Sequence, residues 1–148
     1  MIHYCGDTYK YQVVPFDGIQ GFQAPTFDDS AWSTGVAGFG NNLGCPLTAQ
    51  TFWPGNDDLL LRRQFTLPLG ATNLRVSVAI DNDIQLFLNG TDISRGLIDH
   101  GGCATRDSFV FTAPDSVLLP GATNLLAVRA RDTGDVSYVD LEVLVDTP

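Results

Sequence analysis

Apolar residues in this chain recur at every second position, and no segment shows the three-to-four spacing of a helix. That period constrains the fold most, because successive side chains of a β-strand point to opposite faces. In NLRVSVAI, Leu74, Val76, Val78 and Ile80 share one face, and Arg75, Ser77 and Ala79 the other. In DIQLFLNG, Ile84, Leu86 and Leu88 alternate with Gln85 and Phe87. LLLRRQFTL sets Leu61, Arg63, Phe65 and Leu67 on one side, and DSFVFT, YVDLEVLVD and TYKYQVVPF are further candidates. Turn-forming Gly, Pro, Asn and Asp separate these runs. The pattern predicts an all-β, antiparallel sandwich of about eight strands, with one helical turn near Asp115 to Leu119.

The 148 residues suffice for one domain with its own core. At 44% apolar and 17% charged, the composition is globular rather than disordered. No apolar run approaches the roughly 20 residues of a membrane span, so membrane insertion is not expected. MIHYCGDTYKY lacks the basic and apolar regions of a secretory signal. A formal net charge of −9 argues against nucleic acid as a partner. The acid is nearly all Asp, a residue of turns, with Glu142 the only Glu. Three cysteines, Cys5, Cys45 and Cys103, match no zinc spacing. Three free thiols, one disulfide with a spare, and an intermolecular bridge all remain open. Cys45 and Cys103, both in Gly-rich loops, are the favoured pair.

Two segments lack any period, 38–58 and 94–106. Long irregular loops within a domain often carry function. Sugar sites place an aromatic face against the apolar side of the ring and planar polar groups against its hydroxyls. The first loop offers Trp53 with Asn41, Asn42, Asp57 and Asp58; the second offers Asp99, His100 and Arg106. Trp53 can equally serve as a packing residue. Catalysis is not expected. His3 and His100 are the only imidazoles, and no nucleophile elbow is present. Asp57-Asp58 reads as a turn before a strand rather than as paired glycosidase carboxylates.

IDNDIQLFLNG, between two alternating runs, has two readings. Asp81, Asn82 and Asp83 can mark the bend between two strands, with Asn89-Gly90 as a tight hairpin turn. Alternatively Asp81 and Asp83 begin the oxygen shell of a structural Ca²⁺, the one cofactor the sequence suggests.

FDDSAW, LLLRRQFTLP, IDNDIQLFLNG and SFVFTAPDSVLLPGATNLLAVRARD follow in that order. In this order they resemble the galactose-binding-domain-like jelly roll, over roughly Phe27 to Val145. In that family an Asp-Asp-Ser-x-Trp turn precedes a strand, and an Arg-Arg-x-Phe strand ends in Leu-Pro. A further strand ends in Asn-Gly, and a Pro-Gly-x-Asn-x-Leu turn enters a late one. LPLGATNLRVSVA and LLPGATNLLAVRA also echo each other, as two strands entered by similar turns. The resemblance implies a jelly-roll β-sandwich in which these motifs, Trp32 included, are scaffold. Such domains occur as sugar-binding modules of β-galactosidase-type and β-glucuronidase-type glycosidases, in secreted bacterial proteins and in phage virions.

The expectation is a non-enzymatic module that binds a surface glycan, as a tail, fibre or decoration component on a virion surface. Two alternatives stay open: a secreted carbohydrate-binding module of a larger glycoside hydrolase, and a purely structural virion subunit. Outward-facing Phe87, Leu125 and Leu144 would offer apolar surface to a second copy or to other subunits.

Overall fold

A computed structural model describes residues 1–148. The alternating runs form β1 (Thr8–Val14), β2 (Ser33–Val36), β3 (Phe39–Gly40), β4 (Thr51–Phe52), β5 (Asp58–Thr66), β6 (Thr72–Leu88), β7 (Thr91–Asp92), β8 (Ile98–His100), β9 (Phe109–Thr112), β10 (Thr123–Arg131) and β11 (Tyr138–Asp146). A 3-10 turn at Asp115–Val117 is the only helical element. The fold is all-β, as expected. The strand count exceeds the expectation because several elements are only two or three residues long.

The two runs expected as separate strands around Asp81–Asp83 are one strand, β6. Its first half pairs with β9 and β11, and its second half with β10, β8 and β7. β6 therefore belongs to both sheets. The first sheet runs β2-β1-β5-β10-β6, with β7 and β8 beyond; the second runs β9-β6-β11-β3-β4. All pairings between strands are antiparallel except the short β3–β4 pair. Asn89 and Gly90 both have positive φ, 51° and 87°, as a two-residue hairpin turn requires. They join Leu88 to its cross-strand partner Thr91.

Between the sheets lies the main core. Leu59, Leu61, Leu74, Val76, Val78, Ile80, Ile84, Leu86, Leu126, Val128, Leu141 and Val143 all enter it from alternate strand positions. The two echoing turns touch. Leu67 N–H donates to Ala122 O, Gly121 N–H donates to Leu67 O, and Leu67 bridges Pro120 in parallel.

The outer face of the first sheet is covered by segment 15–32. Phe22 packs edge-on against Phe87 at 5.8 Å, within a second apolar cluster with Val14, Leu60 and Ala127. Phe87 is therefore buried, Leu125 is buried as well, and of the three outward residues expected to offer a partner surface only Leu144 is exposed. The sequence concealed this because segment 15–32 has no strand or helix period. No helix is long and apolar enough to cross a membrane.

Candidate functional site

The two irregular loops meet. Cys45 and Cys103 form a disulfide with Cα atoms 5.5 Å apart, which leaves Cys5 as an exposed free thiol. The joined loops lie on the outer face of the second sheet, where Ala104 packs with Ala79 and Tyr138 beside Tyr4, Leu47 and Ala49.

Few of the expected ligand-binding residues are free to bind. Trp53 is 0% exposed, inside the main core. Its indole Nε1 donates to Asp57 Oδ1 at 2.6 Å. A ring so placed offers no face to a sugar, and the packing reading of Trp53 replaces the stacking one. Asn41 donates Nδ2 to Pro54 O (3.1 Å) and Asp135 O (2.5 Å), while its Oδ1 accepts from Ser137 N (3.2 Å). Asn42 closes its own loop, accepting from Ala49 N at 2.7 Å. Both amides are spent on the scaffold. Arg106 lies over the Tyr4 ring at 5.2 Å, and Tyr4 in turn bonds Asp107. Asp99 and His100 are neighbours on β8, so they point to opposite faces, and Asp99 does not orient the imidazole. His100 instead packs edge-on against Phe109 at 5.9 Å.

At the bend of β6, Asp81 is buried and its carboxyl is pushed up to about 6, first by desolvation and then by the charge of Asp132. Asp132 is itself buried, and its Oδ2 accepts from Asn56 N at 2.7 Å. Gly55 passes so close that a Cβ there would stand 2.6 Å from that oxygen. Asn82 Oδ1 accepts from Thr133 N at 3.0 Å, tying the bend to the β10–β11 turn. No group of three or more acidic, imidazole or thiol side chains is placed to hold a metal ion.

Cross-strand register instead gathers a different set. Asp58 of β5 faces Arg131 of β10, Arg131 faces Asp83 of β6, and Asp83 faces Asp99 of β8. These four form one row at the end of the first sheet, on its outer face. Arg131 donates Nε to Asp58 Oδ1 at 2.7 Å and Nη2 to Asp58 Oδ2 at 3.0 Å. The same Nη2 reaches Asp17 Oδ1 at 2.9 Å, and the guanidinium lies 4.7 Å from the Phe16 ring centre. Asp58, expected at a binding surface, is wholly buried in this network and also accepts from Asp17 N at 2.9 Å.

Phe16 and Asp17 belong to a four-residue turn closed by Gly18 N–H to Pro15 O, with Asp17 at φ 58°. Asp83 is pushed up to about 6, first by desolvation and then by the hydrogen bond and charge of Asp99, with Arg131 opposing. Like charges directly opposite on adjacent strands are destabilising. Phe16, Asp17 and Arg131 were not singled out in the sequence. The PFDG turn is a signal for Phe16, but only the fold places it against Arg131. No cavity opens in the surface, so any ligand is held on an open face.

No family model and no curated protein matches the sequence. Solved structures do match in fold. A glycosyl hydrolase family 2 member from Bacteroides cellulosilyticus aligns at TM-score 0.64 and 20% identity, over 93% of this chain and 20% of that one. β-Glucuronidase from Faecalibacterium prausnitzii aligns at 0.59 and 20% identity, over 88% and 21%. β-Glucuronidase from Ruminococcus gnavus, solved with uronic isofagomine, aligns at 0.61 and 14% identity, over 88% and 21%. This chain thus spans about one fifth of the length of these glycosidases.

Proposed function

We propose that this chain is a non-catalytic, carbohydrate-binding β-sandwich module of a glycoside hydrolase. The observation that carries the reading is the lopsided overlap: nearly the whole chain matches, and only about one fifth of each enzyme is matched. The virion setting expected from the sequence finds no counterpart among these structures, and the hydrolase module takes its place.

The carboxylates support a binding role over a catalytic one. Glycoside hydrolysis needs two carboxyl groups about 5 Å apart or more, flanking the scissile bond. Asp58 is buried under Arg131, and Asp57 accepts the Trp53 indole. Asp83 and Asp99 stand opposite each other on adjacent strands of one sheet face, with no cavity beside them to enclose a glycosidic bond.

The test is to display the chain to an array of glycans and, separately, to aryl glycosides. Retention on at least one glycan, with no release of the aryl group, is the expected result. Retention on none would remove the carbohydrate reading. Hydrolysis lost on Asp83→Asn would remove the non-catalytic one.

A further inference from the structure

We infer that Phe16, with the carboxyl group of Asp17 in the same turn and those of Asp83 and Asp99 across Arg131, forms a stacking site for an uncharged sugar ring. This rests on the carbohydrate-binding reading and gives it a location and a ligand class.

Phe16 is 45% exposed although its position is fixed. The turn is locked by Gly18 N–H to Pro15 O, and Asp17 N–H is anchored to Asp58. Arg131 covers one face of the ring, so the exposed part is the other face and the edge. A large apolar ring held rigidly in water loses little conformational entropy on binding. It suits the flat C–H face of a pyranose.

Polar groups flank it. Asp17 stands in the same turn, its side chain 57% exposed; Asp83 and Asp99 lie across Arg131 in the row. Carboxylates accept hydrogen bonds from sugar hydroxyls. Arg131 directs donors to Asp58 and Asp17 and lends the site little free positive charge.

That balance sets the ligand class. The row and its turn hold four carboxyl groups, Asp17, Asp58, Asp83 and Asp99, against Arg131 and the adjacent Arg129. The patch is negative, on a chain of net charge −9. A uronate would meet repulsion here; a neutral hexose or pentose would not. The Asp83–Asp99 opposition has no evident scaffold use, because the strand would pair as well with one carboxylate replaced by an amide. A pair that is costly to the fold, with Asp99 exposed and Asp83 half-buried, fits a ligand-facing role.

The test is amide-resolved NMR titration of the chain with methyl glycosides of glucose, galactose, mannose and xylose, and with methyl β-glucuronide. A shallow site of this kind should bind at about millimolar Kd. The expected result is movement of Phe16, Gly18, Asp83 and Asp99 amides with at least one neutral glycoside and none with the glucuronide. Phe16→Leu, which keeps apolar cover over Arg131, should weaken binding tenfold or more. Arg106→Ala, on the outer face of the other sheet, should leave it unchanged.

A neutral glycoside that shifts other residues and ignores Phe16→Leu would overturn the site and leave the module reading intact. Preference for the glucuronide would overturn the ligand class. Calcium chloride shifting these amides while every glycoside fails would make the row a cation site and overturn the proposal. No shift with any probe would also overturn it, and the glycan array then decides the module reading separately.

Discussion

Arg62 donates Nε to Asp29 Oδ2 at 2.8 Å, joining β5 to the loop that covers it. The same guanidinium donates to the backbone carbonyls of Phe22, Ala24 and Phe27, and lies over the Phe27 ring at 5.3 Å. One side chain, 2% exposed, therefore satisfies three carbonyls and one carboxylate of segment 15–32. Removing one partner of a buried, hydrogen-bonded pair strands the others. Arg62→Ala should destabilise the fold by about 3 kcal/mol or more in urea unfolding. Arg62→Lys should recover little, since an ammonium cannot reproduce the planar fork. A loss below about 1 kcal/mol would show that the cover is held by its apolar contacts alone.

The pairing of Arg62 with Asp29 bears on what the sequence made legible. FDDSAW and LLLRRQF were each readable as scaffold, but nothing in one dimension says that they touch. Strand faces were legible because burial on one side imposes a two-residue period. The continuity of β6 was not, because Asp81, Asn82 and Asp83 interrupt the apolar run where the strand passes between sheets. The cover over Phe87 was missed because side-chain bonds to carbonyls need no periodic sequence. Trp53 was ambiguous because a loop tryptophan next to Pro-Gly looks the same whether it stacks outward or fills the core. Phe16 acquired a neighbour only when its turn folded against Arg131.

Asn89 and Asn124 should prove energetically coupled. Asn89 Nδ2 donates to Asn124 Oδ1 at 2.8 Å and its Oδ1 accepts from Leu125 N. Asn124 in turn holds the carbonyls of Leu119 and Ala122. Each change to Ala should cost about 2 kcal/mol, and the double variant about 1 kcal/mol less than the sum. Simple additivity in a double-mutant cycle would contradict this.

Reduction of Cys45–Cys103 should lower stability markedly. The bridge spans a sequence separation of 58 residues. Chain-entropy reasoning assigns such a loop about 4 kcal/mol. Differential scanning calorimetry of the Cys45→Ala/Cys103→Ala variant should show a single transition shifted well below wild type. An unchanged midpoint would mean that the loops hold together without the bond.

Stability should rise on mild acidification. Asp81, Asp83 and Asp140 are each pushed up to about 6, with desolvation the first cause in every case. Unfolded, each would titrate near 3.9. A carboxyl whose folded pKa is raised binds its proton more tightly in the folded state. Its contribution is full below about 4 and is lost as the pH rises through about 6. The melting midpoint should therefore be higher at about pH 5 than at about pH 7.5, and Asp140→Asn should flatten that rise. Asp146, held low by the Asn73 amide and by Arg75, acts in the opposite sense only below the usual carboxylate range. A midpoint that falls between those two pH values would contradict the assignment.

Because β6 is stitched into both sheets, its register is fixed twice over. A single-residue insertion or deletion within Thr72–Leu88 would turn the inward side chains of one half outward while the other half stayed bonded in place. No strand register is at stake in 43–48 or 101–106, the stretches that carry the Cys45–Cys103 bridge. Variation in length should therefore accumulate in the loops and be absent from this strand. Neither sheet can come apart while the other survives, so amide hydrogen exchange should report one shared opening for residues as distant as Val76 and Leu86.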